Sequence, residues 1–112
     1  KVNREWIDSL PENDWRRNKP DHPVAALLHP PKLEPFLQLV EQLKTIAEPS
    51  GHTVSQLAVA WALRRPEVTS AIVGARRKGQ IAETVRAAEW SLGQAELDAV
   101  TAALDTFSQD TA

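Results

Sequence analysis

The residues best suited to bind a ligand lie at 74–83, where an apolar run is followed by a helix-like pattern. Gly74 lets the backbone turn and approach a ligand closely. Arg76 and Arg77 add guanidinium groups, which hold phosphate oxygens through paired N–H bonds. A helix beginning just after them would direct its unpaired N–H groups and positive dipole end to the same place. The pattern fits a phosphate-binding loop and a structural turn equally, because it lacks the spacing of either Gly-rich nucleotide fingerprint.

A single apolar segment precedes this junction. Residues 68–73 form a continuous run of mostly β-branched and apolar side chains, and Pro66 and Gly74 bound them. This composition predicts one buried parallel strand, the only convincing strand of the chain. A parallel strand needs neighbours on both sides. We therefore expect its partners to come from outside these 112 residues.

Helical patterns account for most of the rest. Apolar spacing predicts helices over about 36–48, 53–65, 78–90 and 94–107. Thr53 and Gln56 have the spacing of a capping box that opens the second helix. The run at 57–63 is apolar on every face, so we expect that helix to be buried on most sides. The predicted fold is mostly α with one core β-strand.

The first 35 residues differ from the remainder in composition. They hold six of the eight prolines, so neither a helix nor a central strand is expected to run through them. Trp6, Trp15 and the pair at 27–28 indicate that this arm packs on something. A long loop of this kind is either a lid or binding loop, or simply an arm left by truncation.

Composition narrows the class of protein. With 42% hydrophobic and 25% charged residues, the chain is typical of a soluble, cytoplasmic globular protein. It has no apolar run near the roughly 20 residues that span a bilayer. It contains no cysteine, which excludes disulfides and thiolate chemistry, and no tyrosine to serve as a phenolic proton donor. Because it also lacks methionine, we expect an upstream segment to be missing.

Charge is unevenly distributed along the chain. Residues 64–78 hold five basic side chains against Glu67 alone, whereas residues 79–112 hold six acidic side chains against Arg86. A basic cluster of this kind is most often a solvated surface. His22, His29 and His52 match no catalytic or metal motif, and we interpret them as surface residues. Asp14 with Arg16 or Arg17 is interpreted as a loop ion pair.

Three stretches resemble the aldo/keto reductase family. GHTVSQLAVAWAL (residues 51–63) is similar to the segment before the family's last barrel strand, and TSAIVGARR (residues 69–77) with Gln80, Ile81 and Glu83 is similar to its nucleotide-binding junction. LPENDWRR (residues 10–17) resembles the segment after strand seven in bacterial members. Each stretch alone is modest, but the first two together at the right separation are specific, and the resemblance extends over nearly the whole chain.

This resemblance implies the C-terminal third of a (β/α)8 TIM barrel. Residues 1–35 would be the arm after strand seven, and residues 36–112 the final barrel segment. The implied cofactor is NADP(H), the implied substrate a small carbonyl compound, and the implied reaction hydride transfer between them. The implied cofactor-binding residues are Gly74, Ala75, Arg76, Gln80, Glu83 and Thr84.

The resemblance also implies a role for each of these residues. The backbone at 74–75 would lie against the adenosine ribose phosphate, and Arg76 would contact the 2′-phosphate. Gln80 and Glu83 would face the phosphate edge and the adenine, while Thr84 departs from the family's usual Asn. The family's catalytic Tyr, Lys, Asp and His belong to earlier strands, so no catalytic or metal residue is assigned here. This chain alone is expected to be inactive.

The sequence also allows two functions other than a part of a reductase. The chain could be a non-enzymatic, cofactor-binding regulatory or association module of the same family, with self-association of the fragment. Alternatively, short helices beside a basic segment loosely suggest a helix-turn-helix that binds nucleic acid. The strand-like run in place of the turn and the acidic last quarter argue against the latter. We expect neither a nucleic-acid nor a membrane partner.

Overall fold

Residues 2–112, described by a computed structural model, contain six α-helices and three short 3-10 turns. The helices are α1 (Arg4–Asp8), α2 (Trp15–Asn18), α3 (Leu33–Ala47), α4 (Val54–Ala62), α5 (Gln80–Val85) and α6 (Gln94–Asp110). The 3-10 turns are Ala25–Leu28, Glu48–Ser50 and Arg86–Glu89. Residue 1 lies outside the described residues. The chain forms two compact units, residues 2–42 with 103–112 and residues 43–102.

The first unit contains more helix than its prolines suggested. Asn3 caps α1 by accepting the Trp6 N–H at 2.9 Å, and Asp14 caps α2 by accepting the Arg16 N–H at 2.9 Å. These side chains satisfy backbone donors that a first turn leaves unpaired, which is enough to form helices of one turn between prolines. Helix α3 also begins earlier than predicted, at Leu33, because a proline such as Pro35 is tolerated in the first turn.

The second unit is organised around α4. The predicted capping box is confirmed: the Gln56 N–H donates to Thr53 Oγ1 at 3.2 Å, and Gln56 Oε1 accepts the Thr53 N–H at 3.0 Å. Leu57 and Ala60 are buried, and α4 packs against α5 and the turn Arg86–Glu89. The expectation that α4 is buried on most sides was wrong, since Ala58 is exposed.

The predicted strand is absent from residues 2–112. Residues 68–76 have no regular secondary structure, and Ile72 is fully exposed. The physical reason is the one that the sequence already indicated: an extended segment becomes a strand only when another segment pairs with it. Within the described residues, no segment does so.

The last two helices also differ in detail from the prediction. The pattern over 78–90 divides into α5 and the turn Arg86–Glu89, with α5 starting only at Gln80. Gly79 precedes it with φ of 85°, a left-handed conformation that interrupts a right-handed helix and favours glycine. Helix α6 extends from Gln94 to Asp110, three residues beyond the predicted end.

Candidate functional site

The junction loop, defined here as residues 74–79, leads from the exposed extended segment into α5. All six of its residues are exposed. A side-chain Cβ placed on Gly74 would have no neighbouring atom within 4 Å, so the chain itself does not require glycine there. Helix α5 has only six residues, and the strongest positive charges at the junction are therefore the side chains of residues 76–78.

The loop is closed first by Gln80. The Arg76 backbone N–H donates to Gln80 Oε1 at 2.8 Å, and the Gln80 N–H donates to the Arg77 carbonyl at 3.3 Å. Gln80 thus accepts a hydrogen bond from the loop that precedes it, much as a capping side chain does. This contact holds the backbone of Arg76 beside the first turn of α5, while its side chain lies in an exposed position.

Arg77 and Glu83 form a second closure. Arg77 Nη1 lies 3.1 Å from Glu83 Oε1, and Nη2 lies 2.7 Å from Oε2, so the contact is bidentate. The hydrogen bond, and then the opposite charge, lower the pKa of the Glu83 carboxyl and raise the pKa of Arg77. Both side chains are about 60% exposed, so solvent and salt screen their attraction. The pair contributes geometry more than stability.

Helix α5 is also anchored from behind. Gln56 Nε2, on α4, donates to the Glu83 carbonyl at 2.7 Å, and Gln56 is only 4% exposed. The same side chain therefore completes the cap of α4 and fixes the backbone of α5. Thr84 Oγ1 donates to the Gln80 carbonyl at 2.9 Å, which turns the Thr84 hydroxyl toward its own helix.

The six residues expected from the sequence thus occupy one loop and the helix that follows it. Arg76 and Gln80 are in direct contact, Thr84 contacts Gln80, and Gly74 with Ala75 lies in the exposed approach. Sequence reasoning missed two contributors. The sequence indicated Arg77 only as a second guanidinium for a phosphate, but in the structure its side chain pairs with Glu83. Gln56 was interpreted only as a capping residue, although its amide nitrogen reaches α5.

Two histidines differ from the expectation that all three are surface residues. His29 is half-buried, with Nε2 at 2.9 Å from the Arg16 carbonyl. The His52 ring stacks on Trp90 with 4.1 Å between ring centroids, and its Nδ1 atom is buried without a hydrogen-bond partner. The predicted loop ion pair is confirmed, with Arg16 Nη2 at 2.6 Å from Asp14 Oδ2. These contacts are structural, since they bring no two proton-transfer groups together.

Outside the junction, the first unit contains an open cleft of about 300 Å³. Its charged or titratable lining comes from Asp8, Arg16, Arg17 and His29. Arg16 is already held by Asp14 and lies 5.1 Å from the Trp6 ring centroid, while Arg17 donates to the Leu10 carbonyl at 3.1 Å. None of the residues that line this cleft belongs to the junction loop. The contacts of the cleft's arginines are those of a packed loop.

Residues 2–112 offer neither a metal site built from clustered ligands nor a membrane-spanning helix. No cluster of three or more His, Cys, Asp or Glu side chains has the arrangement needed to hold a metal ion there. No helix in that part of the chain has both the length and the apolar character needed to cross a membrane.

Comparison with known proteins agrees with the family resemblance seen in the sequence. The model of the aldo/keto reductase family matches residues 6–105. A putative voltage-gated potassium channel subunit beta from Schizosaccharomyces pombe is 40% identical over 83 residues, which cover 74% of this chain and 24% of that protein. A probable voltage-gated potassium channel subunit beta from Arabidopsis thaliana is 42% identical over 57 residues, or 51% of this chain and 17% of the relative.

A relative named as an enzyme also matches. L-glyceraldehyde 3-phosphate reductase from Escherichia coli O157:H7 is 32% identical over 82 residues, covering 73% of this chain and 23% of the enzyme. The chain thus spans about a quarter or less of the length of these relatives. No solved structure matches it significantly.

Proposed function

The chain belongs to the aldo/keto reductase family, and on that premise we propose that it is the C-terminal, cofactor-binding part of an NADP(H)-dependent oxidoreductase that reduces aldehydes or ketones. The observation that carries this proposal is the family match over residues 6–105, which includes the whole junction. The relative named a reductase shares 32% identity over 82 residues and supports an enzymatic parent. Cytoplasmic location is part of the same proposal.

We place residues 68–73 as the last strand of a (β/α)8 barrel whose other strands lie outside this chain. Val68, Ile72 and Val73 are exposed here, although such residues are usually buried. Ile81 and Val85, one turn apart on α5, form a second exposed apolar surface. A neighbouring strand and helix would cover both surfaces and supply the missing backbone hydrogen bonds.

The proposed cofactor site is the junction loop with the first turn of α5. Gly74 and Ala75 would bring backbone against the ribose phosphate, and the exposed Arg76 side chain would hold the 2′-phosphate. Gln80 and Glu83 would face the phosphate edge and the adenine. Thr84 stands where the family usually has Asn, and its hydroxyl donates to the Gln80 carbonyl. The residues present fit a phosphate: consecutive cations stand at 76–78, and Glu83, the carboxylate that bonds to this run, neutralises Arg77 rather than Arg76.

When bound, the cofactor supplies the hydride that reduces the carbonyl carbon. The role of this chain would be to bind and orient the adenosine end. The chain has no tyrosine, which is the family's proton donor, so we propose that these 112 residues alone catalyse no carbonyl reduction.

A second function in the same family has a specific observation in its favour. Two relatives with 40% and 42% identity are named as potassium channel beta subunits. The parent protein could therefore be an auxiliary subunit that binds the cofactor at the same junction. Turnover by a protein carrying the complete barrel separates the two functions, because an auxiliary role alone requires none.

The test of the cofactor site is Arg76→Ala in a protein that carries the complete barrel. A hydrogen bond to a charged group is worth about 1.5–3 kcal/mol, so NADPH should bind roughly ten- to a hundredfold more weakly. NADH, which has no 2′-phosphate, should bind as before. The control is Arg65→Ala, another exposed arginine of the same unit. Equal losses for NADH and NADPH would remove Arg76 from the phosphate site.

A further inference from the structure

The side chains of Arg77 and Glu83 form an ion pair across the junction. This pair is not one of the proposed contacts with the cofactor. The loop carries Arg77, and Glu83 stands on the first turn of α5, six residues later. Their bidentate contact, at 2.7 and 3.1 Å, links the two parts. Parallel N–H bonds between two planar groups fix orientation as well as distance.

Glu83 is a suitable anchor because its backbone is itself held. The buried Gln56 side chain donates to the Glu83 carbonyl at 2.7 Å, and the Glu83 N–H donates to the Gly79 carbonyl at 3.1 Å. The carboxylate therefore extends from a fixed point of α5. An arginine that grips this carboxylate is restrained relative to the helix, and the loop is restrained with it.

The residue next to Arg77 benefits directly. The Arg76 N–H is bonded to Gln80 Oε1 at 2.8 Å, in an exposed position where water competes for both groups. The contact that Arg77, one residue later, makes with Glu83 keeps the Arg76 N–H close to Gln80 Oε1. Because Glu83 neutralises Arg77, the cations of the loop that Glu83 leaves charged are the two neighbours of Arg77, Arg76 and Lys78.

We infer that Arg77 is a positioning residue: through Glu83 it closes the junction loop on α5 and so presents Arg76 to the 2′-phosphate, without contacting that phosphate itself. This inference rests on the proposed function for its ligand. The closure itself exists without any ligand, and it can be measured separately.

The first measurement is amide hydrogen exchange of the 112-residue chain without ligand. Arg77→Ala and Glu83→Gln should each accelerate exchange at the Arg76 amide by roughly two- to fivefold, the modest effect expected of an exposed pair. The exchanged pair, Arg77→Glu with Glu83→Arg, should recover most of the protection. Raising NaCl from 0.1 to 1 M should accelerate exchange in the wild-type chain but hardly in Arg77→Ala, because salt screens only an existing pair.

The second measurement is the affinity of the same variants for 2′,5′-ADP, a probe that carries only the adenosine end with its 2′-phosphate. Arg77→Ala should weaken it by roughly two- to fivefold, and Glu83→Gln by at least as much, because the proposed site also places Glu83 beside the adenine. Arg77→Lys keeps the charge but loses the fork, and we expect it to behave like alanine in the exchange measurement.

Two results would overturn the inference. Unchanged exchange at the Arg76 amide in both single variants would show that the pair does not close the loop. A more than tenfold loss of 2′,5′-ADP affinity in Arg77→Ala, with Glu83→Gln unaffected, would make Arg77 a direct phosphate ligand. If the wild-type chain protects the amide but does not bind 2′,5′-ADP, the loop closure stands and the proposed cofactor site of this chain is what fails.

Discussion

Replacing Gln56 by glutamate should detach α5 from α4 while leaving the α4 cap intact. In the native chain, Gln56 Oε1 accepts the Thr53 N–H at 3.0 Å and Nε2 donates to the Glu83 carbonyl at 2.7 Å. Glutamate keeps the accepting oxygen and substitutes a second oxygen for the donor. Two acceptors then face each other at a position that is only 4% exposed.

The expected loss follows from that geometry. Removing the donor of a buried hydrogen bond costs about 1–3 kcal/mol, because the remaining acceptor is left unsatisfied. With an unfolding entropy of about 2.1 cal/mol/K per residue over 112 residues, this corresponds to a fall in Tm of roughly 4–13 °C. Urea unfolding at pH 7, followed by circular dichroism, measures the same free energy of unfolding directly.

The pH dependence of Gln56→Glu gives a second signature. Burial raises the pKa of the introduced carboxyl above its usual value of about 4.3, and its protonated form can donate to the Glu83 carbonyl again. A group whose folded pKa is raised stabilises the fold below its unfolded pKa and loses that stabilisation as pH rises through the folded pKa. Relative to wild type, the variant should therefore recover stability as pH falls through the raised folded pKa, and the recovery should be complete below about pH 4.

A matched control is Gln94→Glu on α6. Gln94 is exposed, with Nε2 at 2.7 Å from Asp98 Oδ1, so the same chemical change should cost only about 0.5 kcal/mol. Gln56→Leu, which removes both hydrogen bonds, should be at least as destabilising as Gln56→Glu. If Gln56→Glu unfolds at the same urea concentration as Gln94→Glu at pH 7, the buried link between α4 and α5 is not important for stability.

Two shorter predictions concern the core and the ion pair. Leu57→Ala should destabilise the chain by about 2–5 kcal/mol, because Leu57 is 1% exposed and its removal leaves a cavity; a loss below about 1 kcal/mol in urea unfolding would contradict that packing. The Glu83 carboxyl should titrate below its ordinary value of 4.5 and move back toward it in Arg77→Ala, as followed by NMR. Since its folded pKa is lowered, the pair should hold the junction loop closed above about pH 4.5 and lose that effect as pH falls. An identical titration in both proteins would mean that the pair does not form in solution.

Features that depend on neighbouring residues were predictable from the sequence. The capping box of Thr53 and Gln56 spans three residues, and the Asp14–Arg16 ion pair spans two. A side chain at such a separation reaches the backbone whenever the local helix forms, so the residue types alone are informative. The helical pattern from residue 36 likewise predicted most of α3, and only the tolerance for Pro35 in its first turn was missed.

Features that depend on distant residues were not predictable in the same way. Gln56 and Glu83 are 27 residues apart, and no pattern in either segment indicates that they meet. Residues 68–73 have the composition of a buried strand. Composition indicates which environment favours a segment, but it does not show whether a second strand is present to pair with it. Arg77 could have been found, because an arginine before a short helix and a glutamate on its first turn can reach each other across the turn.

Glu83 makes one contact with a distant residue, Gln56, and one with a nearby residue, Arg77. The effects of these two contacts on stability can be measured separately. The Glu83 carbonyl is held by a buried amide, where water and salt have little access, while its carboxylate is held by an exposed guanidinium that both reach freely. Loss of the Gln56 contact should therefore lower the stability of the unit at any salt concentration. Loss of the Arg77 contact should loosen only the junction loop, and only at low salt. An anion that binds Arg76 would therefore contact a loop whose closure depends on ionic strength. The position of α5, which carries that loop, would not depend on it.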